Sequence, residues 1–116
     1  MKIILIGLFG MMGVYTRYFI GQLNRASFLN STLLVNIIGC FVIGLCYKSF
    51  HSSDSNKVIL SAIAIGFCGG LTTFSTFILD SFKYIENNQL MTMTSYLLGS
   101  VVLGMLALYV GVKINS

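Results

Sequence analysis

The chain has 116 residues, 56% of them hydrophobic and only 9% charged, and its mean hydropathy is +0.89. Soluble domains carry charge at about a quarter of their positions, so this composition excludes one and points to an integral membrane protein. The formal net charge of +4 comes from 7 basic residues against 3 acidic ones, lying mostly at segment ends, whereas a nucleic-acid binder gathers its basic residues on one face or in one run.

Four apolar runs reach the roughly 17–25 residues that cross a bilayer. The first, residues 3–23, lacks a small-residue cleavage site and carries Arg17 well inside it, so it reads as a retained helix and not as a signal peptide. The second covers 32–50, the third 58–84 and the fourth 90–114. Only NRASFLNS, HSSDSN and IENNQ separate them, which leaves no room for a soluble domain. None of the runs alternates with period two, and backbone groups in lipid must be paired internally. The expected fold is therefore all-α: one transmembrane domain over residues 1–116, four helices, both termini on one side.

Cys40, Cys46 and Cys68 fall inside apolar segments at no metal-ligand spacing and read as small packing residues. Asp80 and Lys83, three apart, read as a surface ion pair, and His51 as a solvated loop residue. In the four-helix layout the terminal side holds Lys2, Lys48, Lys57 and Lys113. The opposite side holds Arg25 and Lys83, with Arg17 in the half of its helix nearer that side. Four against three is a weak bias under the positive-inside rule, so charge alone permits insertion in both orientations, and with it an antiparallel homodimer, as readily as a single orientation. The 12 glycines let helices approach closely in a membrane, and they are more numerous than one bundle obviously needs.

The third segment raises a problem of length. Its 27 residues would reach about 40 Å as one helix at 1.5 Å per residue, against a hydrocarbon core of about 30 Å. Glycine interrupts a helix at least steric cost, so a mid-membrane break is expected near 69–72, at Gly69-Gly70. A break strands carbonyls at the end of the first half and N–H groups at the start of the second, and each costs several kcal/mol if left unpaired in lipid. Stranded carbonyls suit a hard cation, and stranded N–H groups at a helix N-terminus suit an anion. Thr72, Thr73, Ser75 and Thr76 add hydroxyl donors just past the glycines. Phe74 and Phe77 share a helical face, and their electropositive ring edges can meet an anion without a buried full charge. Taken singly, each of these residues reads more readily as packing or as bonding back to its own helix; their succession after a break shifts the balance towards the anion.

These residues resemble a known family. GFCGGLTTFSTF, residues 66–77, is similar to the signature of the Fluc (CrcB-type) fluoride channels; VNIIGCFVIG (35–44) and, more loosely, GMMGVYTRY (10–18) extend the resemblance over essentially the whole chain. Phe9, Ser31 and Cys40 depart from the pattern, where glycine, glycine and serine are frequent. The resemblance implies an antiparallel, dual-topology homodimer in the bacterial plasma membrane, with two fluoride pores and a central structural sodium ion held by backbone oxygens of Gly69 and Thr72 from both subunits. It places Phe74 and Phe77 along each pore, gives the Asn36 amide to the passing anion, and continues the polar path through Tyr96 and Ser100. Thr73, Ser75 and Thr76 are weaker candidates for that path, and Arg17 falls near a vestibule. Other roles stay open for three of these: interhelical bonding for Asn36, snorkelling or helix capping for Arg17, interfacial anchoring for Tyr96. Passive efflux of fluoride, and so fluoride resistance, is the implied activity.

One histidine and no carboxylate pair within a segment leave no enzyme reading. A small multidrug-type exporter needs an acid in its first segment, and residues 3–23 contain none. A non-conducting assembly subunit would leave the glycine pair and the hydroxyls after it unexplained.

Overall fold

The computed structural model describes residues 1–23, 30–53 and 56–115; Arg25, one of the charges weighed above, lies outside them. Every regular element among the described residues is a helix. α1 spans Lys2–Leu23 and α2 spans Ser31–Phe50. α3 covers residues 57–71 and changes pitch on the way: Lys57–Ser61 is α-helical, Ala62–Cys68 is π-helical and Gly69–Leu71 is α-helical again. α4 is Ser75–Glu86 and α5 is Leu90–Ile114. Four stretches are long and apolar enough to cross a membrane: Lys2–Leu23, Ser31–Phe50, Lys57–Glu86 and Leu90–Ile114.

Side chains from the short connections close the helix ends. Asn30 Oδ1 accepts from the Thr32 N–H at 2.7 Å, and Asn56 Oδ1 accepts from the Val58 and Ile59 N–H groups at 3.0 and 3.2 Å; each satisfies orphan donors of a first turn. At the other end of α2, Lys57 Nζ donates to the Ser49 and Phe50 carbonyls, where the helix dipole favours a cation. Asn88, with φ 57°, turns the chain from α4 into α5; asparagine tolerates that left-handed conformation better than most residues.

Two helix pairs are drawn together by glycine. A Cβ on Gly13 would overlap the Phe67 carbonyl, one on Gly66 the Ile6 carbonyl and one on Gly70 the Gly10 carbonyl, so α1 and α3 touch backbone to backbone. α2 and α5 meet likewise, Gly44 against the Leu108 carbonyl and Gly111 against the Phe41 carbonyl. Lipid offers no hydrophobic drive to associate helices, so close contact between small residues supplies the attraction. The fully buried core is thin, consisting chiefly of Val35, Ala62, Cys68 and Leu71, while large apolar side chains such as Ile3, Phe19 and Met91 cover the exterior. Gly7, Gly69 and Gly99 have open space where a Cβ would stand.

The glycine pair does not end the helix. Gly69 and Gly70 stay helical, and Gly70 serves the contact with α1. Non-helical backbone falls instead at residues 72–74, where Thr72 takes extended angles (φ −88°, ψ 158°) before α4 begins.

Candidate functional site

Residues 72–74 keep their polar groups paired through partners far away in sequence. The Thr73 N–H donates to Asn36 Oδ1 at 2.9 Å, and Asn36 Nδ2 donates back to the Thr73 carbonyl at 3.2 Å. The Asn36 side chain thus stands in for a strand of backbone, pairing both ways with the N–H and C=O of one residue. A primary amide has two N–H donors, so one remains for a further acceptor. Thr72 folds back, its N–H and its Oγ1 both donating to the Cys68 carbonyl at 2.9 and 2.8 Å. Arg17 Nε reaches across from α1 and donates to the Gly70 carbonyl at 3.0 Å, a cation on the C-terminal carbonyls of α3. Among the described residues, no hydrogen bond reaches the carbonyls of Gly69 or Thr72.

At the start of α4 the hydroxyls gather on one another. Thr73 Oγ1 accepts from the Thr76 N–H at 3.3 Å, as an N-terminal cap does, and lies 3.3 Å from Thr76 Oγ1 and 3.4 Å from Ser75 Oγ. Thr73 therefore has a structural task whatever else it does, and Ser75 faces outward.

Beside this junction lies an open groove of about 390 Å³, bounded by α2, α4 and α5. Asn36, Cys40, Thr73, Phe74, Phe77 and Ser100 are among the residues lining it. The Phe74 and Phe77 ring centroids are 6.1 Å apart with planes tilted by 53°, and Phe74 is 74% exposed, so its ring faces out of the single chain. Ser100 Oγ is buried with no hydrogen-bond partner. Such an atom is uncommon in a native interior, since an unpaired buried hydroxyl costs about 1–3 kcal/mol.

Of the residues singled out from the sequence, the fold gathers Asn36, Thr72, Thr73, Phe74, Phe77 and Ser100 on the groove. Tyr96 stands behind it, its ring 5.1 Å from Phe77 and its hydroxyl donating to Asp80 Oδ2 at 3.2 Å. Ser75, Thr76, Gly69 and Arg17 are not on its walls. Sequence reasoning missed Asp80. No ion pair joins it to Lys83 among the described residues; its Oδ2 instead accepts from Tyr96 and from Asn30 Nδ2, both at 3.2 Å. The available signal was its position one turn past Phe77. His51 is also partnered: Nδ1 lies 3.1 Å from the Tyr47 carbonyl and the two rings are 4.9 Å apart. The three cysteines are free thiols, Cys68 buried and the others half-buried.

The profile of the family described as CrcB-like protein, Camphor Resistance (CrcB) matches residues 4–112. The chain belongs to the CrcB family. A relative from Gloeothece citriformis named "Fluoride-specific ion channel FluC" is 37% identical over 116 residues, covering 97% of this chain and 94% of its own length. "Fluoride-specific ion channel FluC 2" of Rhodococcus jostii is 32% identical and covers both chains fully. A protein of the same printed name from Clostridium acetobutylicum is 35% identical over 100% of this chain and 99% of its own. These CrcB relatives are named as ion channels, not as enzymes.

Proposed function

We propose that the chain is a fluoride-specific channel of the bacterial plasma membrane that lets cytoplasmic fluoride leave by passive electrodiffusion. The observation carrying the proposal is the groove. It brings together a spare amide hydrogen of Asn36, the unpartnered hydroxyl of Ser100 and the rims of Phe74 and Phe77, with no charged side chain on its walls. Fluoride is small and strongly hydrated, and such a wall offers donors to replace its water without a buried cation on which it would stick. The positive edges of the two rings serve the same end. Among the polar candidates, Asn36 and Ser100 meet the ion; Thr73, Ser75 and Thr76 chiefly shape the start of α4, and Arg17 adds positive potential beside the junction.

The reading extends to an antiparallel, dual-topology homodimer with two pores. An exposed Phe74 and the uncovered glycines Gly7, Gly69 and Gly99 suit a second copy of the chain as neighbour. The Gly69 and Thr72 carbonyls, which accept no described hydrogen bond, fit a hard cation: oxygen donors without competing partners. These two oxygens from each copy would hold the structural sodium ion, whose charge would satisfy the carbonyls that the non-helical residues strand. Lipid surrounds the remaining apolar surface.

The test is fluoride efflux from liposomes holding purified protein, measured with a fluoride electrode alongside chloride. Fluoride is expected to leave fast and chloride to stay. Fluoride retention equal to that of protein-free vesicles would overturn the proposal and leave a non-conducting packing subunit.

A further inference from the structure

We propose that Asp80 is a positioning residue for the anion route: it fixes Tyr96, and through the Tyr96 ring it sets the edge that Phe77 turns towards the groove. The inference rests on the channel reading above, and adds to it a residue that touches neither the groove nor the ion.

Asp80 lies on α4, half-buried, one turn after Phe77. Its Oδ2 collects one donor from each of two other parts of the fold, the Tyr96 hydroxyl of α5 and the Asn30 amide before α2. Neither partner is loosely held. Asn30 is pinned by its own cap bond to the Thr32 N–H at 2.7 Å. Tyr96 is 8% exposed, with its ring between Phe77 at 5.1 Å and Tyr84 at 5.7 Å. From the carboxylate, contact runs through the Tyr96 ring to Phe77 and on to Phe74.

Two consequences follow. A phenol has one proton to donate, and here it goes to a carboxylate, an acceptor that binds about twice as strongly as a neutral one. While that bond stands, Tyr96 cannot give the proton to a passing anion, so it enters the route as a ring that supports Phe77 and not as a donor. The second consequence concerns the sign of the field. A phenyl edge attracts an anion and its face repels one, so the tilt of Phe77 decides whether it helps or hinders. The Tyr96 ring lies against Phe77 and is tethered at its far end by Asp80. Without the tether Tyr96 keeps its ring contacts but loses the bond that fixes its hydroxyl end, and the wall that holds the tilt of Phe77 loosens.

The experiment pairs flux with a spectroscopic readout on dimers in detergent and liposomes. Asp80→Ala and Tyr96→Phe are each expected to slow fluoride efflux about tenfold, the worth of one hydrogen bond to a charged group. The double variant should be no slower than either alone, because both cut the same link. Asp80→Asn, which keeps an acceptor oxygen, restores most of what Asp80→Ala loses. In protein labelled with 13C at tyrosine Cζ, the Tyr96 signal, assigned by its absence in Tyr96→Phe, should move in Asp80→Ala and return towards the wild-type position in Asp80→Asn. If Asp80→Ala does not fold, Asp80→Leu, close in size to the native residue, carries the same expectations. With the wild type conducting, an unmoved Tyr96 signal, full flux in Asp80→Ala or additive losses in the double variant would overturn this inference alone. A wild type that carries no fluoride overturns the channel reading and the inference together.

Discussion

Asn36→Ala tests the pairing on which the geometry of the groove depends. The substitution removes two hydrogen bonds at once, the one from the Thr73 N–H at 2.9 Å and the one to the Thr73 carbonyl at 3.2 Å, and alanine offers nothing in their place. In a dry interior each group left bare costs about 1–3 kcal/mol, which sets an upper range of about 2–6 kcal/mol. Side-chain hydrogen bonds measured within membranes average about 0.6 kcal/mol, which sets a lower figure of about 1 kcal/mol. Asn36 is half-buried on an open groove, where water can partly serve the exposed backbone, so a loss of about 2 kcal/mol is expected. Reversible unfolding of the detergent-solubilised protein, followed by circular dichroism, reads that loss. Hydrogen exchange at the Thr73 amide reads its cause, since that N–H is tied to a side chain and not to the helix. Unchanged stability together with unchanged exchange at Thr73 would refute the pairing. Asn36→Asp keeps an acceptor for the Thr73 N–H but sets a negative charge on the anion route, and fluoride efflux from liposomes should stop.

Ser100→Ala removes a hydroxyl with no partner in the chain, so stability should hold or rise slightly while fluoride efflux slows; a clear loss of stability would mean that the hydroxyl is bonded after all. Phe77→Ile keeps the bulk of the groove wall but loses the ring edge, and is expected to abolish efflux with the elution volume on size exclusion unchanged. Gly70→Ala drives a methyl into the Gly10 carbonyl and should cost about 1–3 kcal/mol of stability as α1 and α3 are pushed apart. Arg17→Met withdraws the donor from the Gly70 carbonyl, and should cost about 1–2 kcal/mol in the same unfolding assay.

The four apolar spans were legible because hydropathy along a chain is a local property, and so were the types of residue beside the groove. The place where helical bonding lapses was legible only to within a few residues. Glycine's low cost to a break pointed to the neighbourhood of Gly69-Gly70; the pair itself remains helical, with Gly70 in close contact with α1, and the lapse begins at Thr72. What decides the matter is a partner: Asn36, 37 positions away, can pair with the Thr73 backbone, and Arg17, 53 positions away, can take the Gly70 carbonyl. No spacing rule contains either contact. Asp80 repeats the lesson, since its neighbour at i+3 suggested an ion pair while its donors come from Asn30 and Tyr96. In an apolar chain, unpaired backbone is expensive enough to claim the polar side chains within reach. Arg17, Asn36 and Thr72 are claimed by backbone and Tyr96 by Asp80. Among the described residues Ser100 Oγ is the one buried polar side-chain atom left unclaimed. A polar ligand entering the groove therefore gains at Ser100 and at the spare N–H of Asn36, the two places on its walls where it can form a hydrogen bond without first breaking one.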